Sequence, residues 1–340
     1  MRKQKYYPLV WGLLFICLLA GLNFFFLRDD ARNKYDPFFH SPAEYDVLFF
    51  GTSHVMDAVF PTQLFLQTGL RSYNMGNPAE TLEATYYTMK TAFSVHLPKA
   101  AVIDVAYIDK TQSESENTFS LSHLWWDAIP LSPSKVTAIC QLFPRGRRAE
   151  FLFPFVAYHT RWEELLTGSS QPISNCKPHL LGAELRIGRA EPAAYVRTTE
   201  LNSKPCKGKE ALQKCIELCL ENGVKPILLA IPYPASSEKQ QMINSASEIA
   251  ERYAIPFFNL FDVFDLVQFD TDCYDPESHL NPDGAYKVTA YLGKALLETG
   301  LSPSPLSIQE EKQWQKWTQA YLSDWEQEWA SLSTLKEEAK

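Results

Sequence analysis

The sequence predicts an α/β protein built on a flavodoxin-like, doubly wound sheet of five parallel strands with helices on both faces. Three observations carry this reading. Short apolar runs, most ending at a glycine or a turn residue, recur along the chain, as strands buried on both faces do. Stretches of helical periodicity separate them, the alternation expected of a parallel sheet. Two stretches stand outside the alternation: an apolar N-terminal segment, and a long aperiodic region at about 107–205 read as a largely helical or irregular insertion after strand three.

Residues 1–6 form a basic tail with Arg2, Lys3 and Lys5, followed by an almost uncharged stretch over 7–27. About 20 apolar residues rising about 1.5 Å each cross the hydrocarbon core, so 7–27 reads as a transmembrane anchor. The basic flank belongs on the cytoplasmic side, which sends the rest of the chain outside, a single-pass topology in the cell membrane. The rival is a cleaved signal peptide; Ala20 suits one recognition position, but Leu18 does not suit the other. Residues 28–44, closed by Pro37 and Pro42, read as a polar juxtamembrane linker.

An α/β domain then covers 45–300. Strand one is 46–51 and a short helix follows over 61–70. Strand two, 72–76, ends at Gly76, and helical periodicity runs from Glu80 to Phe93. Strand three is 100–105. After the insertion come helix 208–222, strand 224–231, helix 236–253, strand 256–260 and helix 284–298. Right-handed crossovers bring the carboxyl ends of the strands to one rim. The last segment, 301–340, spaces Trp314, Trp317, Tyr321, Trp325 and Trp329 along a helix. Such a stripe packs on the domain or offers a face to a partner or a sugar.

Composition narrows the function. With 46% hydrophobic and 21% charged residues the chain is globular, and its net charge of −8 supplies no basic surface for a nucleic acid. The seven cysteines lack zinc spacing; Cys215 and Cys219 fall on a buried helical stripe, and Cys176 and Cys206 flank an irregular region where an oxidising compartment would let them pair. No Gly-x-Gly-x-x-Gly, P-loop or His-Glu-x-x-His is present, so no metal or cofactor is expected.

The candidate chemistry lies in two blocks. In Asp46-Val47-Leu48-Phe49-Phe50-Gly51-Thr52-Ser53-His54, a buried strand stops at a glycine and presents Ser53 at its carboxyl end. A serine hydroxyl needs a base to take its proton and a carboxylate to hold that base in the right tautomer. His279 supplies the base, with Asp275 and Glu277 just before it, and Asn281-Pro282-Asp283-Gly284 then starts a helix.

Together these blocks resemble the SGNH (GDSL-like) hydrolase superfamily, and most closely its membrane-anchored cell-envelope branch. That branch carries Gly-Thr/Ser-Ser-His early and Asp…His-Leu-Asn…Gly late. The resemblance covers 35–110 and 205–300. It implies Ser53 as nucleophile and His279 as base. The surroundings of Asp275 resemble the envelope branch with one residue inserted, which favours Asp275 as the acid, with Glu277 as the alternative. It implies an oxyanion hole from the Ser53 amide, a glycine after strand two and an asparagine after strand three. Gly76 matches the glycine. The asparagine has no match in Val105-Ala106-Tyr107-Ile108-Asp109, and Asn77 is the nearest amide.

Three further residues are candidates for substrate contact. His54 either starts a helix pointing away from the pocket or packs on Ser53 and the substrate. Arg161 and Trp162 either grip a carboxylate and stack on a sugar, or knot the insertion to the core.

The function expected is an extracytoplasmic serine esterase or O-acyltransferase acting on O-acyl groups, acetyl above all, of a cell-envelope polysaccharide. A membrane-bound O-acyltransferase is the partner the resemblance implies. The alternatives are a non-catalytic anchored module that binds a glycan or a partner, and a lipid esterase with its acyl channel lined by 151–155.

Overall fold

The computed structural model describes residues 7–41, 43–112, 115–168, 174–190, 195–263, 265–276 and 279–338. The strands are β1 (Val47–Phe50), β2 (Ser72–Asn74), β3 (Ala100–Asp104), β4 (Lys225–Ala230) and β5 (Phe257–Asn259). They form one parallel sheet in the order β2-β1-β3-β4-β5, the doubly wound arrangement the alternating pattern predicts. β1 pairs with β2 and β3 on either side, Val47 lying opposite both Ser72 and Ala100. All four β1 residues are buried, which is why the strand reads as an unbroken apolar run.

Two apolar layers flank the sheet. The odd residues of β1, Val47 and Phe49, join one cluster with Leu64, Val288 and Leu292; Leu48 and Phe50 join the other with Met89, Leu212 and Ile216. The helices α4 (Pro61–Thr68) and α14 (Pro282–Glu298) supply the first layer. The helices α5 (Leu82–Phe93) and α11 (Lys207–Glu221) supply the second. Cys215 and Cys219 are buried in that second layer as small apolar residues, and Cys176 and Cys206 are unpaired.

N-terminal to the sheet, α1 (Tyr7–Phe26) is 20 residues long and apolar enough to cross a membrane, and none of its most apolar window is buried in the protein. The stretch expected to be a polar linker is mostly helix, α2 (Asp29–Phe39), with Pro37 inside it. Ala31, Tyr35 and Phe38 lie on one helical face and are buried. Phe38 stacks on Tyr45 at 5.5 Å and meets Tyr73 and His96 edge-on. That apolar spacing, hidden among five charged residues and a proline, is the helix signal the linker reading overlooked.

The insertion holds α6 (Glu116–Trp126), α7 (Pro133–Leu142) and three short helices, α8 (Arg148–Leu152), α9 (Pro154–Tyr158) and α10 (Trp162–Thr167). α9 packs along α1, where the Phe155 amide donates to Asn23 Oδ1 at 3.2 Å. The insertion's return segment lies against the edge of β2: the Asn74 amide donates to the Leu181 carbonyl and the Glu184 amide to the Met56 carbonyl.

The single helix expected over 236–253 is two, α12 (Ser237–Asn244) and α13 (Ala246–Tyr253), parted at Ser245. The C-terminal α15 (Ile308–Glu338) packs with Trp314 stacked on Phe65 at 4.6 Å and with Tyr321 donating to Gln63 Oε1. Trp325 lies against Tyr286, and the side chain of Trp329 is outside the described residues.

Candidate active site

The turn that presents Ser53 is built from Gly51 and Thr52. Gly51 adopts φ +136°, and a Cβ there would lie 2.3 Å from Asp104 Cβ, so the turn excludes every other residue type. Thr52 caps the short helix α3 (Ser53–Ala58), its hydroxyl accepting from the His54 amide at 3.2 Å. The same hydroxyl donates to Asp104 Oδ2 at 2.6 Å, and the Thr52 amide donates to that oxygen at 3.2 Å. Asp104 Oδ1 accepts from the Ala106 amide at 2.9 Å. Asp104 thereby pins the turn to the end of β3. Burial pushes its carboxyl up, and the Thr52 and Ala106 bonds oppose that.

Across the rim, the loop before α14 is tied into a hairpin. The Tyr274 amide donates to the His279 carbonyl and the Asn281 amide to the Asp272 carbonyl. Asn281 Oδ1 caps α14 by accepting from the Asp283 and Gly284 amides, while Nδ2 donates to the Thr271 carbonyl at 2.8 Å. The cap and the hairpin fix the path of the chain through His279.

These two constructions bring Ser53, His279 and Asp275 together. Ser53 Oγ lies 2.8 Å from His279 Nε2, and His279 Nδ1 lies 2.7 Å from Asp275 Oδ2. Asp275 Oδ1 also accepts from the His279 amide at 3.0 Å. Glu277, the alternative acid, lies outside the described residues.

His54 is buried rather than turned to solvent, and it packs on His279. Its ring stacks on His279 with centroids 5.0 Å apart and on Tyr233 at 4.2 Å, both at 15°. Burial, then the charges of His279 and Lys239, push its pKa well down, so the ring stays neutral. Tyr274 flanks His279 on a further side at 5.7 Å, and the Arg186 guanidinium lies over Tyr274.

The expected oxyanion donors, Gly76 and Asn77, have partners within the protein. The Gly76 amide donates to Asn74 Oδ1 at 2.9 Å. Asn77 Nδ2 donates to the Met75 carbonyl at 2.9 Å and to Glu80 Oε2 at 2.6 Å, and Asn77 Oδ1 accepts from Tyr35. Both groups are bonded within the loop after β2. A buried amide side chain must satisfy its own donors, and the loop supplies the partners. The Ser53 amide is the first of α3, a position with no intrahelical acceptor.

Arg161 and Trp162 are not gathered to the triad. Arg161 pairs with Glu164 at 2.9 Å and lies over Tyr158, in the part of the insertion that continues from α9; Trp162 is half exposed at 52%. Nor does the run at 151–155 meet Ser53: Phe151 is buried between Phe143 and His123 inside the insertion.

Several residues at the site were not singled out from sequence. Lys34, in α2, is buried and donates to the carbonyls of Gly76 at 2.6 Å and Gly182 at 2.9 Å. Asp57, four residues after Ser53, is buried with Arg186 Nε 3.8 Å away, and burial raises its pKa well above the usual range. A carboxylate closing the apolar run Ala100–Asp104 was the available signal for Asp104. Lys34 and Arg186 had no local signal, because their partners are distant in sequence.

No family model and no curated protein matches the chain in sequence. Among solved structures it is similar to a protein assigned to the G-D-S-L lipolytic family from Desulfitobacterium hafniense, at 11% identity and TM-score 0.39, covering 73% of this chain and 97% of that one. A GDSL-like lipase from Bacteroides thetaiotaomicron is similar at 13% identity and TM-score 0.36, over 75% and 88%. A protein assigned as an acylhydrolase from Bacteroides fragilis is similar at 14% identity and TM-score 0.39, over 81% and 99%.

Proposed function

We propose that the chain is a serine-dependent, SGNH-type esterase or O-acyltransferase. One observation carries the reading: the unbroken relay from Ser53 Oγ through His279 to Asp275, with contacts of 2.8 and 2.7 Å. Ser53 attacks the ester carbonyl carbon while its proton passes to His279 Nε2. Asp275 holds the proton on Nδ1 and stabilises the imidazolium. The Ser53 amide faces the oxyanion's charge. Collapse of the tetrahedral intermediate expels the alcohol, which takes the proton from His279 and leaves an acyl-Ser53. Water or a sugar hydroxyl then releases the acyl group by the same steps in reverse.

The substrate proposed is an O-acyl, chiefly acetyl, ester of a cell-envelope polysaccharide, met outside the membrane to which α1 holds the protein. The apolar α1 behind a basic tail supports this location, and the packing of its last turns on α9 supports an anchor that stays attached. As a transferase, the protein would take its acyl group from a membrane-bound O-acyltransferase beside it.

The second reading, a non-catalytic anchored scaffold, is favoured by the internal bonds of Gly76 and Asn77, since each oxyanion donor is worth about 2.7–4 kcal/mol. A fluorophosphonate probe decides between them. The intact chain should be labelled, and Ser53→Ala and His279→Ala should not. Equal labelling of wild type and Ser53→Ala, or none in either, leaves the scaffold.

A further inference from the structure

The ring stack that begins at His279 leads away from Ser53 through His54 to Tyr233, and beyond Tyr233 stands Lys239 on the first turn of α12. Its ammonium lies 4.6 Å from the ring centroid of Tyr107 and 5.5 Å from that of Tyr233. The carboxylate paired with it, Asp109 Oδ1, is 4.0 Å away, at the outer limit of an ion pair. Tyr107 follows β3 and Tyr233 follows β4, so both rings rise from the carboxyl rim that holds the triad.

With 20% of its side-chain surface exposed, this cation has given up most of its water for two ring faces, a loosely held Asp109 carboxylate and the more distant charge of Asp104. Ring faces and distant carboxylates replace the hydration of an ammonium incompletely. An anion arriving between the rings would complete its shell with a short charge-assisted bond. The charge of Lys239 is felt at His54 and at Asp104, which places it within electrostatic reach of the nucleophile turn. Lys110 adds positive charge nearby.

We infer that Lys239, flanked by Tyr107 and Tyr233, is an anion subsite beside the triad, which docks a carboxylate or phosphate carried by the glycan near its acylated hydroxyl. The inference rests on the proposed esterase site only for the side from which substrate arrives. A neutral acylated glycan would gain nothing there, so the subsite selects acidic polymers.

The test is binding, independent of turnover. The full chain carrying Ser53→Ala, in a non-ionic detergent, is titrated by calorimetry with an oligogalacturonate, a glycerol-phosphate oligomer and a neutral galacto-oligosaccharide. One anionic ligand should bind about tenfold tighter than the neutral one, and less so as salt rises. Which anion does so separates carboxylate from phosphate. Lys239→Gln should remove the preference and Lys239→Arg should keep it. Asp109→Asn, a surface change that spares the fold, should tighten anion binding severalfold. Equal binding of all three ligands overturns the subsite, as does a preference that survives in Lys239→Gln. If the fluorophosphonate fails to label Ser53 while the anion preference persists, the esterase reading falls and the subsite stands.

Discussion

Asp275→Asn tests the relay with the least disturbance of the fold. Asp275 uses both oxygens: Oδ2 takes the His279 Nδ1 proton at 2.7 Å and Oδ1 takes the His279 amide proton at 3.0 Å. Asparagine keeps one acceptor and must serve two donors. If its oxygen stays with the amide, its NH2 faces Nδ1, which must then accept. The ring proton moves to Nε2, where Ser53 Oγ needs an acceptor at 2.8 Å. If the side chain turns the other way, NH2 opposes the backbone N–H. Loss of the correct tautomer in a serine triad costs about 10⁴ in rate. Asp275 keeps 24% of its side-chain surface. Water therefore restores part of the loss, and the expected fall in kcat is about 10³-fold, on the order of 4 kcal/mol of barrier. Hydrolysis of p-nitrophenyl acetate by the full chain reads it, with labelling by the fluorophosphonate as a second measure and the melting temperature as a control on folding. Glu277→Gln should stay within about threefold of wild type. If Asp275→Asn keeps more than a tenth of the activity and Glu277→Gln does not, the acid has been misassigned.

Gly51→Ala should abolish folding or cost more than about 3 kcal/mol, because its Cβ would overlap Asp104 Cβ at 2.3 Å in a backbone region closed to alanine; a denaturant titration with near-wild-type stability would contradict the turn. Lys34→Met strands the carbonyls of Gly76 and Gly182 in the interior, at about 1–3 kcal/mol for an unmade bond, offset by removal of a buried charge; net destabilisation near 2 kcal/mol should accompany a fall in kcat larger than any rise in KM. Burial raises Glu80 from 4.5 to about 8, so the folded chain holds its proton more tightly than the unfolded one. That contribution is complete below about pH 4.5 and is lost as pH climbs through 8, on the order of 5 kcal/mol across the window; urea midpoints of Glu80→Gln should lack this slope. His54→Ala opens a hole beneath the catalytic ring and should lower kcat about tenfold, with His54→Phe recovering most of it if stacking is the function.

The sheet and the two ends of the relay were legible because each is written in adjacent residues. β1 is an apolar run stopped by Gly51, and the loop before α14 carries base, acid and helix cap within a few positions of one another. Periodicity and turn chemistry act over the same short range, so a single sequence displays them. The boundary at Ser245 was not legible, since helix-forming residues continue on both sides. The break follows from a side chain, Ser245 Oγ, that bonds the Met242 carbonyl and competes with the helix for it.

The loop after β2 was less legible for a different reason. An asparagine beside a glycine looks like an oxyanion donor when only neighbours in sequence are counted. Asn77 is instead claimed by Tyr35, from α2, and by Glu80. Lys34, one residue earlier in α2, holds the Gly76 carbonyl, and the Tyr73 hydroxyl bonds the Lys34 carbonyl in return. The segment that seemed a passive tether between anchor and domain therefore supports the loop that abuts the nucleophile turn: the Asn77 amide donates to the Gly51 carbonyl at 2.9 Å. Detaching α2 from the domain would leave the Tyr73 hydroxyl, Asn77 Oδ1 and the Gly76 carbonyl without the partners that α2 supplies, all in buried surroundings where lost bonds are costly. A domain beginning at residue 45 should accordingly be less stable and less active than one beginning at residue 28, which retains α2 without the membrane segment. Equal melting temperatures and equal turnover for the two would show that α2 contributes attachment alone.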